Sequence, residues 1–371
     1  MPERFLCGAM SGTSADGVDA AIVAIAGGGR AMVARFIAHC HEPFYDSLRQ
    51  RIWTIRQRGE VSLAELAAVG RDISLKYASA VAAVLSAAGM ESMQLQAIAA
   101  HGQTLFHAPP LTIQWFDPAL LAYQTSCRVI SDFRRADCAA GGQGAPLVPF
   151  ADELLFRDAK IDRAVVNIGG IANVTLLPAG RGVFCAFDSG PGNCISDLLV
   201  RDGEPGGPGV DLDGARAARG KPDRELAARF AANDYFTRPP PKSTDGPAMD
   251  ATYRVARGTL KLSLEDELAT ACYITADRIA AAVRVLRDPF TGEVIISGGG
   301  TKNRTIMRFL RELLPAATFR STDDFGIPCD AKEAVAFALL GAATLDGIPG
   351  NIPAATGASR AVVLGAITPK P

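Results

Sequence analysis

The chain has 371 residues, enough for two domains of ordinary size, and its 38 basic and 39 acidic side chains leave a net charge of −1. That balance lacks the basic footprint by which nucleic-acid binders are recognised, so no nucleic-acid partner is expected. Hydrophobic residues make up 48% and charged residues 21%, and a chain this long buries about three quarters of its unfolded surface, so it needs no disulfide or structural metal to fold.

Residues 4–10 and 18–26 are apolar and predict strands around a Ser-Gly-Thr-Ser loop, and 31–40 predicts a third. Residues 1–10 do not read as a signal peptide, because the apolar run from Phe5 to Met10 is shorter than an h-region. Helical stretches follow near 45–56 and 62–88, then a short strand at 96–100 that runs into His101-Gly102-Gln103-Thr104. The pattern then restarts: strands at 163–168, 172–177 and 183–188, helices near 194–201, 224–231 and 264–286, a strand at 293–297, and helices at 303–314 and 330–345. Two successive arrays of three strands followed by helices and a strand predict two α/β lobes, each with a mixed sheet. The longest apolar segment, 334–345, has about half the length of a membrane span and reads as a buried helix, so no membrane partner is expected. Eight scattered cysteines without a CxxC read as buried thiols of a reducing, cytoplasmic protein. His39 and His41 would share a strand face, but no further zinc-ligand group is evident.

The 37 glycines are the compositional excess, and they cluster at strand ends. Neither a GxxxxGK[ST] loop nor a GxGxxG turn is present, so P-loop and Rossmann sites are not expected. Three other clusters suit phosphate. The first contains Gly12, Thr13, Ser14, Ala15, Asp16, Gly17, Val18 and Asp19; its backbone N–H groups could converge on phosphate oxygens, and Asp16 or Asp19 could orient a hydrated Mg²⁺. The second, around Gly169 and Gly170, holds the equivalent position in the second lobe. The third, Gly298, Gly299, Gly300 and Asn303, lies at a strand-to-helix junction where a nucleoside could approach the backbone. Each of these strings also suits an ordinary turn. Two Gly/Pro-rich segments, 203–209 and 238–242, read as surface connections or as an edge of an active site.

For acid–base chemistry, Asp188 ends a strand before a sharp turn and could face a cleft as a general base, or simply cap the next helix. Arg134, Glu333, His101 and Gln103 are the other polar candidates; helix-dipole stabilisation is the alternative for Glu333, and a satisfied core position for His101.

Taken in order, GAMSGTSADGVD (8–19), HGQT (101–104), SDFR (131–134), GGQGAPLVP (141–149), NIGGIAN (167–173), FDSGPGN (187–193), GGGTKN (298–303), EAVAFA (333–338) and NIPAATGA (351–358) closely resemble the anhydro-N-acetylmuramic acid kinase family. The resemblance spans nearly the whole chain. It implies two related RNase H-like lobes around a central cleft, the actin/hexokinase-like ATPase fold, divided as 1–135 plus 353–371 and 136–352. The implied reaction is ATP-dependent: water cleaves a 1,6-anhydro sugar at C1 while O6 takes the γ-phosphoryl group, giving N-acetylmuramic acid 6-phosphate in peptidoglycan recycling. Carried onto this sequence, Asp188 activates the water, Arg134 and Glu333 hold the sugar with His101 and Gln103 nearby, and Gly12 to Asp19 with Gly169 and Gly170 bind ATP phosphates. Gly298 to Gly300 and Asn303 approach the nucleoside, Mg²⁺ accompanies ATP, and a homodimer is implied. Three departures stand out: Asp245-Gly246-Pro247 where Gly-Arg-Glu is usual, Trp115-Phe116 where Ile-Gly is usual, and Ser189 where Thr is usual. They leave open a kinase for another anhydro sugar or hexose, or a catalytically silent nucleotide-binding regulator.

Overall fold

The computed structural model describes Glu3 to Pro371 as two compact units. One holds the chain up to Leu155 together with Phe325–Pro371; the other is Phe156–Asp324.

In the first unit, β1 (Arg4–Met10), β2 (Gly17–Ala26) and β3 (Val33–Pro43) form an antiparallel meander. Strand β4 (Leu95–His101) pairs parallel with β1 and is followed by a separate hairpin, β5 (Gln103–Ala108) and β6 (Leu111–Trp115). Strand β7 (Val129–Ser131) lies parallel to β4. In the second unit, β8 (Arg163–Ile168), β9 (Ile171–Leu177) and β10 (Cys185–Pro191) repeat the meander, and β11 (Glu293–Ser297) and β12 (Thr318–Ser321) add parallel strands. The last strand, β13 (Ala366–Thr368), returns antiparallel to β7. The sheet orders, β3-β2-β1-β4-β7-β13 and β10-β9-β8-β11-β12, share one topology: three antiparallel strands with the first strand then flanked by a parallel one. Two α/β lobes with mixed sheets are therefore present, as the repeated pattern predicts.

The apolar character of β1, β2 and β4 follows from burial on both faces. Leu48 and Ile52 of the Asp46–Arg58 helix and Val69, Ile73 and Tyr77 of the Leu63–Ala88 helix join one core with these strands. The Lys332–Leu345 helix, buried over nearly its whole length, packs closely on β1: a Cβ at Gly8 would fall 1.8 Å from the Ala334 carbonyl oxygen. That packing assigns the helix, and Glu333 with it, to the first unit. The lobe boundaries expected at 135 and 352 both fall inside that unit; the structure divides the chain at 155 and 324 instead. The second core forms around β8–β11 and the Leu264–Arg284 helix.

Candidate active site

In the first unit the loop between β1 and β2 is a tight, braced turn. The Ala15 N–H donates to the Gly12 carbonyl at 3.2 Å, and Ala15 holds a φ of 51°. Gln103 is fully buried behind it. Its Nε2 donates to the Gly12 carbonyl (3.1 Å), and its Oε1 lies 2.8 Å from the Ser11 hydroxyl. This side chain is thus committed to shaping the loop. Arg56 adds a third brace, donating to the Thr13 carbonyl at 2.5 Å.

The two carboxylates of this loop have local partners. Asp16 accepts from the Ser14 hydroxyl at 2.8 Å. Asp19 sits beside His39 Nε2 (3.0 Å) and His41 Nδ1 (3.1 Å), so the shared strand face of the two histidines is explained by Asp19. Among the described residues no group of three His, Cys, Asp or Glu side chains forms a metal cage. The donor set fits instead a Mg²⁺ that arrives with a nucleotide and keeps most of its waters, with Asp16 or Asp19 as an outer carboxylate.

Further along the same sheet, His101 ends β4 and Arg134 follows β7. Arg134 donates from Nη2 (3.1 Å) and Nε (3.3 Å) to His101 Nε2, and from Nη1 to the Gly144 carbonyl at 2.8 Å. Guanidinium only donates. His101 therefore accepts at Nε2 and carries its proton on Nδ1, which is buried without a partner among the described residues. Burial and the Arg134 charge hold this imidazole neutral, far below its ordinary range. Its ring stacks on Phe337 at 4.4 Å. Burial also brings the Arg134 guanidinium down to about 10, which leaves it charged at neutral pH.

Glu333 opens the Lys332–Leu345 helix. Its carboxyl is raised above the usual range, first by burial and then by Asp19, with Lys332 and Arg134 opposing. It accepts no hydrogen bond from the described residues and so keeps its full acceptor capacity. Lys332 is occupied by a buried pair with Asp152 at 2.9 Å.

In the second unit Asp188 lies on β10 where pairing with β9 slips between Asp188 and Gly190. Such a bulge re-aims side chains and is frequent beside active sites. The Thr244 N–H donates to Asp188 Oδ2 at 2.9 Å, Oδ1 has no partner within the described residues, and the Tyr235 hydroxyl donates to the Asp188 carbonyl at 2.6 Å. Burial, only partly offset by the Thr244 bond, raises the carboxyl to about 6. The Pro-rich segment at 238–242 thus belongs to the Asp188 surround: the Asp188 N–H donates to the Lys242 carbonyl, and Lys242 Nζ donates to the Tyr235 and Phe236 carbonyls.

The glycine clusters of this unit divide by role. The N–H groups of Gly192 and Asn193 donate to the Gly170 and Gly169 carbonyls at 2.9 and 2.8 Å, and a Cβ on Gly192 would lie 2.2 Å from the Gly169 oxygen. Gly192 is required by packing. Gly170 and Gly299 are different, because a Cβ on either would meet nothing within 4 Å. No internal contact explains their lack of a side chain, which suits close approach by a ligand. Gly298 adopts a φ of 85° and starts a short 3-10 turn, Gly299–Lys302, rather than opening a helix directly. Asn303 is buried, its Oδ1 caps the Arg304–Leu313 helix by accepting from Thr305 and Ile306 N–H at 3.1 Å, and its Nδ2 faces Cys272 Sγ. Its side chain holds the helix start.

Two sequence departures also find structural reasons. Asp245 caps the Gly246–Arg257 helix through Ala248 N–H (2.9 Å), with Pro247 in the first turn, and Thr244 remains placed against Asp188. Trp115 donates to the Leu66 carbonyl (2.8 Å), and Phe116 stacks on Tyr77 at 5.3 Å, so this pair anchors the β5–β6 hairpin to the Leu63–Ala88 helix.

Two mixed sheets of one topology, with glycine-bordered strand ends and a carboxylate at a bulge, define a two-unit α/β protein. The model of the anhydro-N-acetylmuramic acid kinase family matches residues 4–370. Relatives bearing that name include proteins of Gloeobacter violaceus (41% identical, covering 100% of both chains), Cupriavidus pinatubonensis (41%, 99% of both) and Salinibacter ruber (38%, 98% of this chain and 96% of the relative). The chain belongs to the anhydro-N-acetylmuramic acid kinase family. Among solved structures it is similar to a Clostridium difficile activator of 2-hydroxyisocaproyl-CoA dehydratase with bound ADPNP (12% identical, covering 91% of this chain and 94% of that one, TM-score 0.43).

Proposed function

We propose that this chain is an ATP-dependent sugar kinase that opens 1,6-anhydro-N-acetylmuramic acid with water and phosphorylates O6, giving N-acetylmuramic acid 6-phosphate for peptidoglycan recycling. Family membership over residues 4–370 supports the reaction. The observation that carries the mechanism is Asp188, a largely buried carboxylate with a free Oδ1 and a carboxyl raised to about 6. A base with this affinity is ionised at neutral pH yet still takes a proton readily.

In this mechanism Asp188 Oδ1 accepts a proton from a water molecule as that water's oxygen bonds to C1. The C1–O6 bond breaks, and O6 takes the γ-phosphoryl group while ADP leaves. Attack opposite the departing oxygen inverts C1. Arg134, steered by His101 and Gly144, and Glu333, with unspent acceptors, hold the sugar. The loop at 12–19, Gly169 and Gly170 receive the phosphates, and Gly298 to Gly300 border the nucleoside. Magnesium on the nucleotide supplies charge neutralisation, and phosphoryl transfer needs little beyond that and positioning.

Two measurements test the assignment. The kcat/KM for the anhydro sugar is expected to fall about tenfold per pH unit below pH ~6 and to level off above it, because protonated Asp188 cannot act as base. A profile flat down to pH ~5 removes Asp188 from that role. Arg134→Ala is expected to raise the KM for the sugar at least ~10-fold with the KM for ATP unchanged, since a charge-assisted contact contributes about 1.5–3 kcal/mol. Parallel titrations of both substrates check this, and an unchanged sugar KM counts against Arg134 as a sugar contact.

A further inference from the structure

We infer that Asp137 is a positioning residue for the Arg134–His101 pair, acting through the backbone of Gly144, and that the distant segments at 141–149 and 351–358 are joined for this purpose. This rests on the reading above that Arg134 holds the sugar.

Asp137 is fully buried. It forms no ion pair within the described residues, yet it accepts from three separate neutral donors. Its Oδ2 takes the Gly144 N–H at 2.7 Å, while Oδ1 takes Asn351 Nδ2 and the Thr356 hydroxyl, each at 2.7 Å. A buried carboxylate without a cation is costly to maintain, and apolar packing would join these segments more cheaply. What a carboxylate adds is direction. The Gly144 N–H is fixed by Asp137 while the carbonyl of the same residue accepts from Arg134 Nη1 at 2.8 Å. Gly144 itself is hard to replace, with a φ of 65° and an added Cβ 2.7 Å from Cys138 Sγ. The carbonyl that aims Arg134 is thus set by Asp137, and Asp137 is set by residues more than 200 positions away. A second layer holds the arrangement: Gln143 N–H donates to the Thr356 carbonyl (2.8 Å), Ser359 N–H to the Ala140 carbonyl (2.9 Å), and Val362 N–H to Asn351 Oδ1 (2.7 Å). Asp137 reaches Arg134 through the Gly144 peptide, with its Oδ2 on the N–H and the guanidinium on the carbonyl, so it acts by setting the direction of that carbonyl.

The test uses the full-length enzyme with Asp137→Asn, Thr356→Val and Thr356→Ser. Asparagine offers one acceptor oxygen in place of two, so either Gly144 or the Asn351–Thr356 pair then faces an NH₂ group. Asp137→Asn is expected to raise the sugar KM at least ~10-fold with the ATP KM within about twofold, and to move the Arg134 Nε–H resonance; losing one partner of a hydrogen bond to a charged group has an effect of this size. Thr356→Val removes a single donor and carries the test if Asp137→Asn does not fold; it is expected to show the same split, smaller. Thr356→Ser keeps the hydroxyl and is expected to restore wild-type constants. If the variants lose thermal stability but keep both KM values and the Arg134 resonance, Asp137 is only structural and the inference is overturned. Arg134→Ala separates the two readings. If it leaves the sugar KM unchanged, the sugar role of Arg134 fails. If it raises the sugar KM while the Asp137 and Thr356 variants do not, only the present inference fails.

Discussion

Asp188→Asn is expected to lose at least ~10²-fold in turnover while binding ATP normally and becoming no less stable. The rate loss follows from removing a general base, which typically contributes 10²–10⁴-fold. The stability expectation follows from linkage. The folded carboxyl is raised from 3.8 to about 6, so the folded protein prefers the protonated form. That preference favours folding fully below pH ~4 and is lost as pH rises through ~6, so at neutral pH the ionised Asp188 is a burden on the order of 3 kcal/mol. Asparagine removes the charge and keeps an acceptor for the Thr244 N–H. Thermal melts at neutral pH are expected to show an equal or higher midpoint, with the gain disappearing near pH ~4. Turnover within a few-fold of wild type would remove Asp188 from the chemistry.

Gly192→Ala and Gly170→Ala are expected to separate packing from ligand approach. A Cβ on Gly192 meets the Gly169 carbonyl oxygen at 2.2 Å, and backbone cannot give way as a flexible side chain can. The turn must open, straining the Gly192–Gly170 and Asn193–Gly169 hydrogen bonds. Overpacking of this kind costs about 1–3 kcal/mol, so the melting midpoint is expected to fall and ATP to bind at least ~10-fold more weakly. Gly170→Ala meets nothing within 4 Å and is expected to melt like wild type. If phosphate approaches there, its ATP affinity nonetheless falls by a similar factor. Calorimetry of ATP binding beside thermal melts checks both, and unchanged ATP affinity in Gly170→Ala removes that loop from the nucleotide site.

Much of this fold is legible in the sequence because its central strands are buried on both faces and read as unbroken apolar runs. The repeated meander of β1–β3 and β8–β10 was therefore open to direct reading. The β5–β6 hairpin was not. Its strands mix polar, aromatic and histidine residues, and it is held by Trp115 and Phe116 packing on a distant helix, a tertiary cause with no local periodicity. The Gly246–Arg257 helix was hidden because Asp245-Gly246-Pro247 read as a departure from a family motif, although an N-cap followed by proline is itself a helix-start signal.

Site residues divide in a similar way. Charged groups at strand or helix ends, such as Asp188 and Glu333, could be selected from sequence because a charge beside an apolar run needs a reason. Gln103 and Asn303 are ambiguous in sequence because a polar side chain in a glycine-rich motif can also brace a loop or cap a helix, and only its surroundings show which bonds it makes. Asp137 carries no such sequence signal, because its partners, Asn351 and Thr356, are remote in sequence.

On the proposed mechanism the enzyme couples attack of water at C1 to phosphorylation of O6, with Asp188 as base. The most direct test is to incubate the enzyme with ATP, Mg²⁺ and 1,6-anhydro-N-acetylmuramic acid in heavy-oxygen water and to analyse the product by mass spectrometry and phosphorus NMR. The expected product is N-acetylmuramic acid 6-phosphate with a single heavy oxygen at C1, first formed as one anomer, and absent with Asp188→Asn. Heavy oxygen in the phosphate instead of at C1, or full product formation by Asp188→Asn, would contradict the account.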